Sequence, residues 1–170
     1  MIAVRRLAQA EPRALDQLAD VLIDCVAGGA SVSFMHPLPR ERALAFWRGV
    51  AEEAAAGQRA LLVAEDAEGI CGTVQLVLAQ PENQPHRADL AKMLVHRRAR
   101  RQGVGAALLA AAESAARASG KTLLVLDTAS ADAERLYQRM GWEAVGLVPD
   151  YALLPQGGYC ATRFYFRRIG

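Results

Sequence analysis

Apolar positions recur along this chain with two periods, and the switches between them lay out its elements. Ala3 to Leu7 reads as a short strand, and Leu15, Leu18, Val21, Leu22 and Cys25 repeat at helical spacing up to a stop at Gly28-Gly29. A second helix is predicted from about Arg40 to Ala56, with Ala43, Phe46, Trp47, Val50 and Ala54 on one side and Gly57 ending it. Ala60 to Glu65 and Ile70 to Ala79 are apolar runs joined by Asp66-Ala67-Glu68-Gly69, which predicts an antiparallel hairpin. A further strand is expected over Ala88 to Val95. Beyond it, Leu108, Leu109, Ala112 and Ala115 mark the inner face of a helix from about Val104 to Ala118, closed by Gly120. Strand Thr122 to Asp127, helix Ala131 to Met140, strand Trp142 to Val148 and strand Thr162 to Arg167 complete the order βααβββαβαββ. A mixed α/β sheet with helices on both faces satisfies this order, because parallel neighbours need helix-containing crossovers. No repeat or linker interrupts it, so residues 1–170 are expected to form one domain.

Composition narrows the class. Hydrophobic residues make up 52% of the chain and charged residues 22%, which is ordinary globular usage and disfavours disorder. No apolar run is long enough for a membrane span, and charge at Arg5 and Arg6 interrupts any signal-peptide core, so neither membrane nor export is expected. Cys25, Cys71 and Cys160 are odd in number and widely spaced, which suggests neither a disulfide framework nor zinc and fits a reducing, cytoplasmic compartment. His36, His86 and His96 are equally dispersed, so no metal is expected. A net charge of +2 argues against a surface built for nucleic acid. The basicity is local: residues 86–101 hold Arg87, Lys92, Arg97, Arg98, Arg100 and Arg101 against a single acid, Asp89.

That segment carries chemistry. A strand, then Arg100-x-x-Gly103-x-Gly105, then a helix is an arrangement that binds anions. Glycines let the backbone come close, and the unpaired amides of a helix start point outward with the positive end of its dipole. A tight turn flanked by solvated arginines would give the same pattern. A Walker loop is excluded because Gly105 is followed by Ala106-Ala107, and a dinucleotide fingerprint because Leu108 stands where its third glycine belongs. Asp127, at the end of Leu-Leu-Val-Leu-Asp, lies where strand ends collect active-site groups in α/β sheets, although a cap or turn role suits it too.

The stretch from Val95 to Gly105 resembles the acyl-CoA loop of the GNAT superfamily of N-acetyltransferases, with its pattern Arg or Gln, x, x, Gly, x, Gly or Ala. Ser130 to Trp142, with Leu136-Tyr137, a basic residue and Gly141 followed by Trp142, resembles the later helix of the same family. The likeness spans about Leu61 to Arg167; the family often has Pro at Arg97, Gly at Arg101 and Asn at Ser130. It implies a GNAT-like mixed, mostly antiparallel sheet of about seven strands, opening as a V between the strands that end at Val95 and Asp127.

It also implies acetyl-CoA as cosubstrate, with the pantetheine arm along Met93, Leu94 and Val95. The phosphates would meet Arg100, Arg101, Gln102, Gly103, Val104, Gly105 and Ala106, with Ser130 nearby. Tyr137 is implied as the acid that protonates the departing thiolate, although Ala133, Leu136, Tyr137 and Met140 also form one helical face suited to a core. Asp127 is the candidate base or amine anchor. Glu65 and Asp89 are further acceptor-site carboxylates, and Phe34, Met35 and His36 are expected acceptor contacts because the family's first two helices cover that site. A finer resemblance, through Pro81 to Val95, Leu123 to Ser130 and Tyr151 to Pro155, is to the tabtoxin-resistance acetyltransferases of plant-associated bacteria, which act on a β-lactam amino acid toxin. The expected partner is therefore a small-molecule amine, with a homodimer as the assembly common in the family. The alternatives are a protein or polyamine amine, or an acyl-CoA sensor without turnover.

Overall fold

The computed structural model describes residues 1–170. Its elements are β1 (Ala3–Leu7), α1 (Pro12–Ala27), α2 (Arg40–Ala55), β2 (Arg59–Asp66), β3 (Gly69–Val77) and β4 (Arg87–Val95). After a single 3-10 turn at Arg97–Ala99 come α3 (Val104–Ala118), β5 (Leu123–Thr128), α4 (Ala131–Arg139), β6 (Glu143–Leu153) and β7 (Tyr159–Arg168). The seven strands form one sheet in the order β1-β2-β3-β4-β5-β7-β6. Only β4 and β5 run parallel, joined across α3; the other pairs are antiparallel. No helix is long and apolar enough to cross a membrane.

The apolar run of β2 has no polar alternation because both of its faces are covered. Leu61 and Val63 face α1 and α2, where they join Leu18, Leu22 and Trp47. Ala60, Leu62 and Ala64 face the other way, against α3 with Leu108 and Leu109. Helix α4 closes the same side through Tyr137, its one buried residue.

Strand β4 changes sides partway along. Thr73 pairs with Leu94 but Gln75 pairs with Ala91, so β4 has one residue more than β3 across this interval. The extra residue is accommodated at Lys92, whose φ of 51° lies in the left-handed region. Such a bulge reverses the alternation of a strand. Leu90 therefore joins the α3 core while Leu94, also even-numbered, joins the α1–α2 core. Burying Leu94 there contributes about 1.5–3 kcal/mol relative to exposure.

Two details tie the sheet to its helices. A Cβ on Gly72 would come within 2.9 Å of Val104 and 3.1 Å of Leu108, so this glycine lets α3 lie close on β3. Lys121 is buried, and its Nζ donates to the carbonyls of Leu78 and Pro85 at 3.0 and 2.8 Å, fastening the β3–β4 loop to the start of β5.

Strand β6 runs five residues beyond the expected Val148, to Leu153, through Pro149. An edge strand tolerates proline because its outward N–H needs no partner, and a register shift between Val148 and Ala152, with Asp150 at φ 50°, absorbs the irregularity. Strand β7 accordingly begins at Tyr159, earlier than the expected Thr162.

Gly72→Ala is expected to destabilise the fold by about 1–3 kcal/mol through overpacking. Urea unfolding should show a lower midpoint at unchanged m. Combined with Val104→Ala, its cost should fall below the sum of the two single changes.

Candidate active site

Pairing between β4 and β5 covers only Arg87 to Asp89 against Leu123 to Val125. Beyond it the strands diverge, although β4 continues to Val95 and β5 to Thr128. A cleft of about 1070 Å³ fills the divergence. Its walls include β4 from Leu90 to Val95, β5 from Leu126 to Thr128, the Arg100 to Ala106 turn, one face of α4, and residues of β6 and β7. The edge of β4 that faces the cleft has no neighbouring strand, so its backbone groups, apart from the Val95 carbonyl that Arg100 and Cys25 bond, are available to an extended ligand.

The turn between β4 and α3 occupies one end. Gly103 caps α3 at φ 79°, a conformation that favours glycine. The first helical bond runs from the Ala107 amide to the Gly103 carbonyl at 3.0 Å, leaving the amides of Val104, Gly105 and Ala106 without helical partners. Gly105 has a different use: a Cβ there would lie 3.0 Å from Leu136, so its smallness seats α4 against α3.

The arginines around this turn are not equivalent. Arg97 is paired with Asp24, and Arg98 with Asp66 and the Ile70 carbonyl, which pins the 3-10 turn to the rest of the fold. Arg100 lines the cleft, and its Nε donates to the Val95 carbonyl at 3.1 Å. Arg101 has no protein partner and lies at φ 59°, in the left-handed region. That conformation accounts for the glycine common at this position in the resembled family. Arg135 and Arg139 of α4 also line the cleft, and neither was singled out in the sequence.

Tyr137 and Asp127 come together in the same cleft. Tyr137 is 3% exposed and packs on Trp142 and Tyr165 at ring separations of 5.7 and 6.0 Å. Its hydroxyl has no hydrogen-bond partner in the protein, yet it is not among the polar atoms sealed from solvent. Burial first, and the Asp127 carboxylate second, push the phenol above its ordinary value and hold it protonated. Asp127 is exposed, and its Oδ2 accepts from the Thr162 hydroxyl at 2.7 Å, which orients the carboxylate.

Ser130 also lies in the cleft wall, but its Oγ accepts from the Ala133 amide at 3.2 Å as the N-cap of α4. Met93, Leu94, Val95, Gly103, Val104, Gly105 and Ala106 line the cleft as expected of a strand and turn at its edge, whereas the exposed Gln102 does not, its side chain donating to the Arg98 carbonyl at 3.1 Å.

The expected acceptor residues fall elsewhere. Glu65 receives both the Nε and Nη2 of Arg5 at 2.9 and 2.8 Å on the β1–β2 pair, which holds its carboxyl below the usual range, and it does not border the cleft. Asp89 is paired with Arg87 and accepts from Gln80 at 3.3 Å, also outside it. Phe34 turns onto Phe46, with ring centroids 5.3 Å apart, and Met35 and His36 are exposed beyond the lining. Ala30 to Ser33 line the cleft in their place.

That segment is held across the cleft by the β6–β7 hairpin. The His36 amide donates to the Pro155 carbonyl at 2.9 Å, Gln156 donates to the Ala27 carbonyl at 3.2 Å, and the Cys160 thiol meets Ser31 Oγ at 3.6 Å.

Lys92, Cys25, Tyr151, Cys160 and Thr162 also line the cleft without having been selected as site residues. Of these, only Lys92 carried a visible signal, as a lysine interrupting the apolar run of a strand. No group of three or more His, Cys, Asp or Glu is arranged to hold a metal.

Residues 57–144 match the acetyltransferase (GNAT) domain family. An uncharacterised N-acetyltransferase from the hisH–hisA intergenic region of Azospirillum brasilense is 33% identical over 128 residues, covering 74% of each chain. The fold is shared with solved structures at lower identity. A ribosomal-protein-alanine N-acetyltransferase from Brucella melitensis superposes with a TM-score of 0.82 at 21% identity, over 98% of this chain and 99% of that one. A GNAT superfamily phosphinothricin acetyltransferase from Sinorhizobium meliloti, solved in complex with acetyl-CoA, gives 0.79 at 19% identity, over 99% and 89%. The chain therefore belongs to the GNAT family, N-acetyltransferases that take their acetyl group from acetyl-CoA.

Arg101→Gly is expected to relieve about 1–2 kcal/mol of left-handed strain, offset by about 0.4–1 kcal/mol for the greater freedom of glycine in the unfolded chain, raising the thermal midpoint by about 2–4 °C. The same change should weaken acetyl-CoA binding by removing the one unpaired guanidinium of the turn, a loss that calorimetric titration would measure.

Proposed function

We propose that this acetyltransferase moves the acetyl group directly from acetyl-CoA to the amine of a small molecule, with Tyr137 and Asp127 as its catalytic pair. The observation that carries this reading is the single opening between β4 and β5. It gathers the unpaired amides of the Gly103 turn, the free backbone edge of β4, the Tyr137 hydroxyl and the Asp127 carboxylate. The fit to acetyl-CoA rests on the same features: amides at a helix start suit its pyrophosphate, and an unpaired strand edge suits its amide-bearing arm.

When bound, acetyl-CoA supplies an activated thioester with a thiolate leaving group. Asp127 accepts a proton from the attacking amine, or holds the amine in position, with its orientation set by Thr162. Tyr137 donates its proton to the departing sulfur. A phenol kept protonated by burial is suited to this step, and it remains an acid beyond its ordinary pKa of 10.0, so it imposes no alkaline loss of turnover below that pH.

An acyl-enzyme formed through Cys25 is disfavoured by the state of that residue. Its thiol lines the cleft, but burial pushes its pKa up and its Sγ donates to the Val95 carbonyl at 3.5 Å, which suits a packed thiol and not a nucleophile.

The fold neighbours do not select an acceptor, since their names cite phosphinothricin in one case and ribosomal-protein alanine in another. Within the small-amine class, the loops resembling tabtoxin-resistance acetyltransferases favour a β-lactam amino acid, making the reaction a detoxification.

Free-thiol release from acetyl-CoA across amines, amino acids, polyamines and a β-lactam amino acid toxin is the direct test, with release selective for the β-lactam amino acid expected. Tyr137→Phe keeps the packing and should lower kcat by about 10²–10⁴-fold with acetyl-CoA affinity retained; unchanged turnover would remove the hydroxyl from the mechanism. Asp127→Asn should lower turnover and alter its pH profile, and a variant normal in both would exclude that carboxylate.

A further inference from the structure

The chain has eighteen arginines and only two lysines, Lys92 and Lys121. Lys121 is satisfied by the two carbonyls it joins. Lys92 is not. It sits in the β4 bulge, in a left-handed conformation that costs a non-glycine residue about 1–2 kcal/mol, and bulges next to active sites commonly re-aim a side chain. Here the side chain reaches the segment after α1, donating to Ser33 Oγ at 3.0 Å as its one hydrogen bond in the protein. It forms no ion pair, although an ammonium has three protons to donate. The other groups around it are the Phe46 ring, at 6.0 Å from Nζ, the Arg59 guanidinium and the Asp127 carboxylate. Arg59 is already committed to Glu53 and Gln75 and adds only repulsion.

We propose that Lys92, with the Ser33 hydroxyl, binds a carboxylate carried by the acceptor, so that the acceptor is an amino acid and not a simple amine or polyamine. This rests on the reading of the cleft as the acetyl-transfer site. The two arms of the cleft then carry opposite charges for opposite ends of a zwitterion: Asp127 on β5 for the amine, Lys92 on β4 for the carboxylate. Burial first, and Arg59 second, lower the Lys92 ammonium, so an arriving anion relieves both its poor solvation and its repulsion from Arg59. A polyamine would instead add a third cation beside Lys92 and Arg59.

The test is thiol release from acetyl-CoA with matched pairs of acceptors: lysine against cadaverine, ornithine against putrescine, and an amino acid against its amide. The wild-type enzyme should prefer the carboxylated member of each pair. Lys92→Met should raise the KM of that member by about ten- to a hundredfold, leave the KM of acetyl-CoA unchanged, and abolish the preference. Lys92→Arg, which restores the charge, should recover most of it. The unchanged acetyl-CoA KM separates this result from a loss of fold. Wild-type preference for the decarboxylated amines, or equal losses for both members in Lys92→Met, would overturn the role of Lys92 while leaving acetyl transfer standing. Acetyl-CoA binding with no thiol release from any acceptor would instead overturn small-amine acetylation, and the role of Lys92 with it.

Discussion

Inside a folded protein nearly every backbone amide and carbonyl finds a partner, and between its two edge strands this sheet departs from that rule where β4 and β5 separate. The parallel ladder between β4 and β5 stops after Asp89 and Val125, and two strands in the middle of a seven-stranded sheet continue without each other. The rest of the molecule holds that gap open. Leu94 anchors the free end of β4 in the α1–α2 core, and β7 takes the ladder bonds on the far side of β5 along its whole length. Arg97 and Arg98 fix the turn beyond Val95 through Asp24 and Asp66. The strands are thus kept apart by packing on their outer sides, and the gap between them is a property of the fold before any ligand arrives.

Local signals recovered most of this architecture. The order of elements, the antiparallel β2–β3 hairpin and the glycine-bearing turn before α3 were readable because periodicity and helix stops depend on neighbours in the chain. So was the pairing of the turn with a tyrosine on the following helix, through its resemblance to a known family. The bulge in β4 was hidden because it is a mismatch in length between two strands, and neither strand records it alone. The extent of β6 was hidden because proline argues against a strand unless that strand is known to lie at an edge.

The acceptor side was the least legible part, for an electrostatic reason. Glu65 and Asp89 look available in the sequence, but each is claimed by an arginine whose position only the folded sheet reveals, Arg5 from β1 and Arg87 on the same face of β4. The basic run shows the same sorting: four arginines in five residues suggest one patch, yet two are bound to carboxylates from other elements and only Arg100 and Arg101 border the cleft. Charge counted along a chain overstates what a site can use.

Helix α4 is held to the sheet by polar bonds more than by burial: the Tyr165 hydroxyl donates to Glu134, Gln138 donates to Tyr165, and Arg163 pairs with Glu134. The helix is nine residues long, buries only Tyr137, and leans through Leu136 on the space that Gly105 leaves open. One footing of the tyrosine's helix is thus the first turn of α3, the same turn whose amides face the cleft. A shift in that turn is therefore felt twice along one wall of the cleft, at the amides themselves and at the helix that carries the phenol.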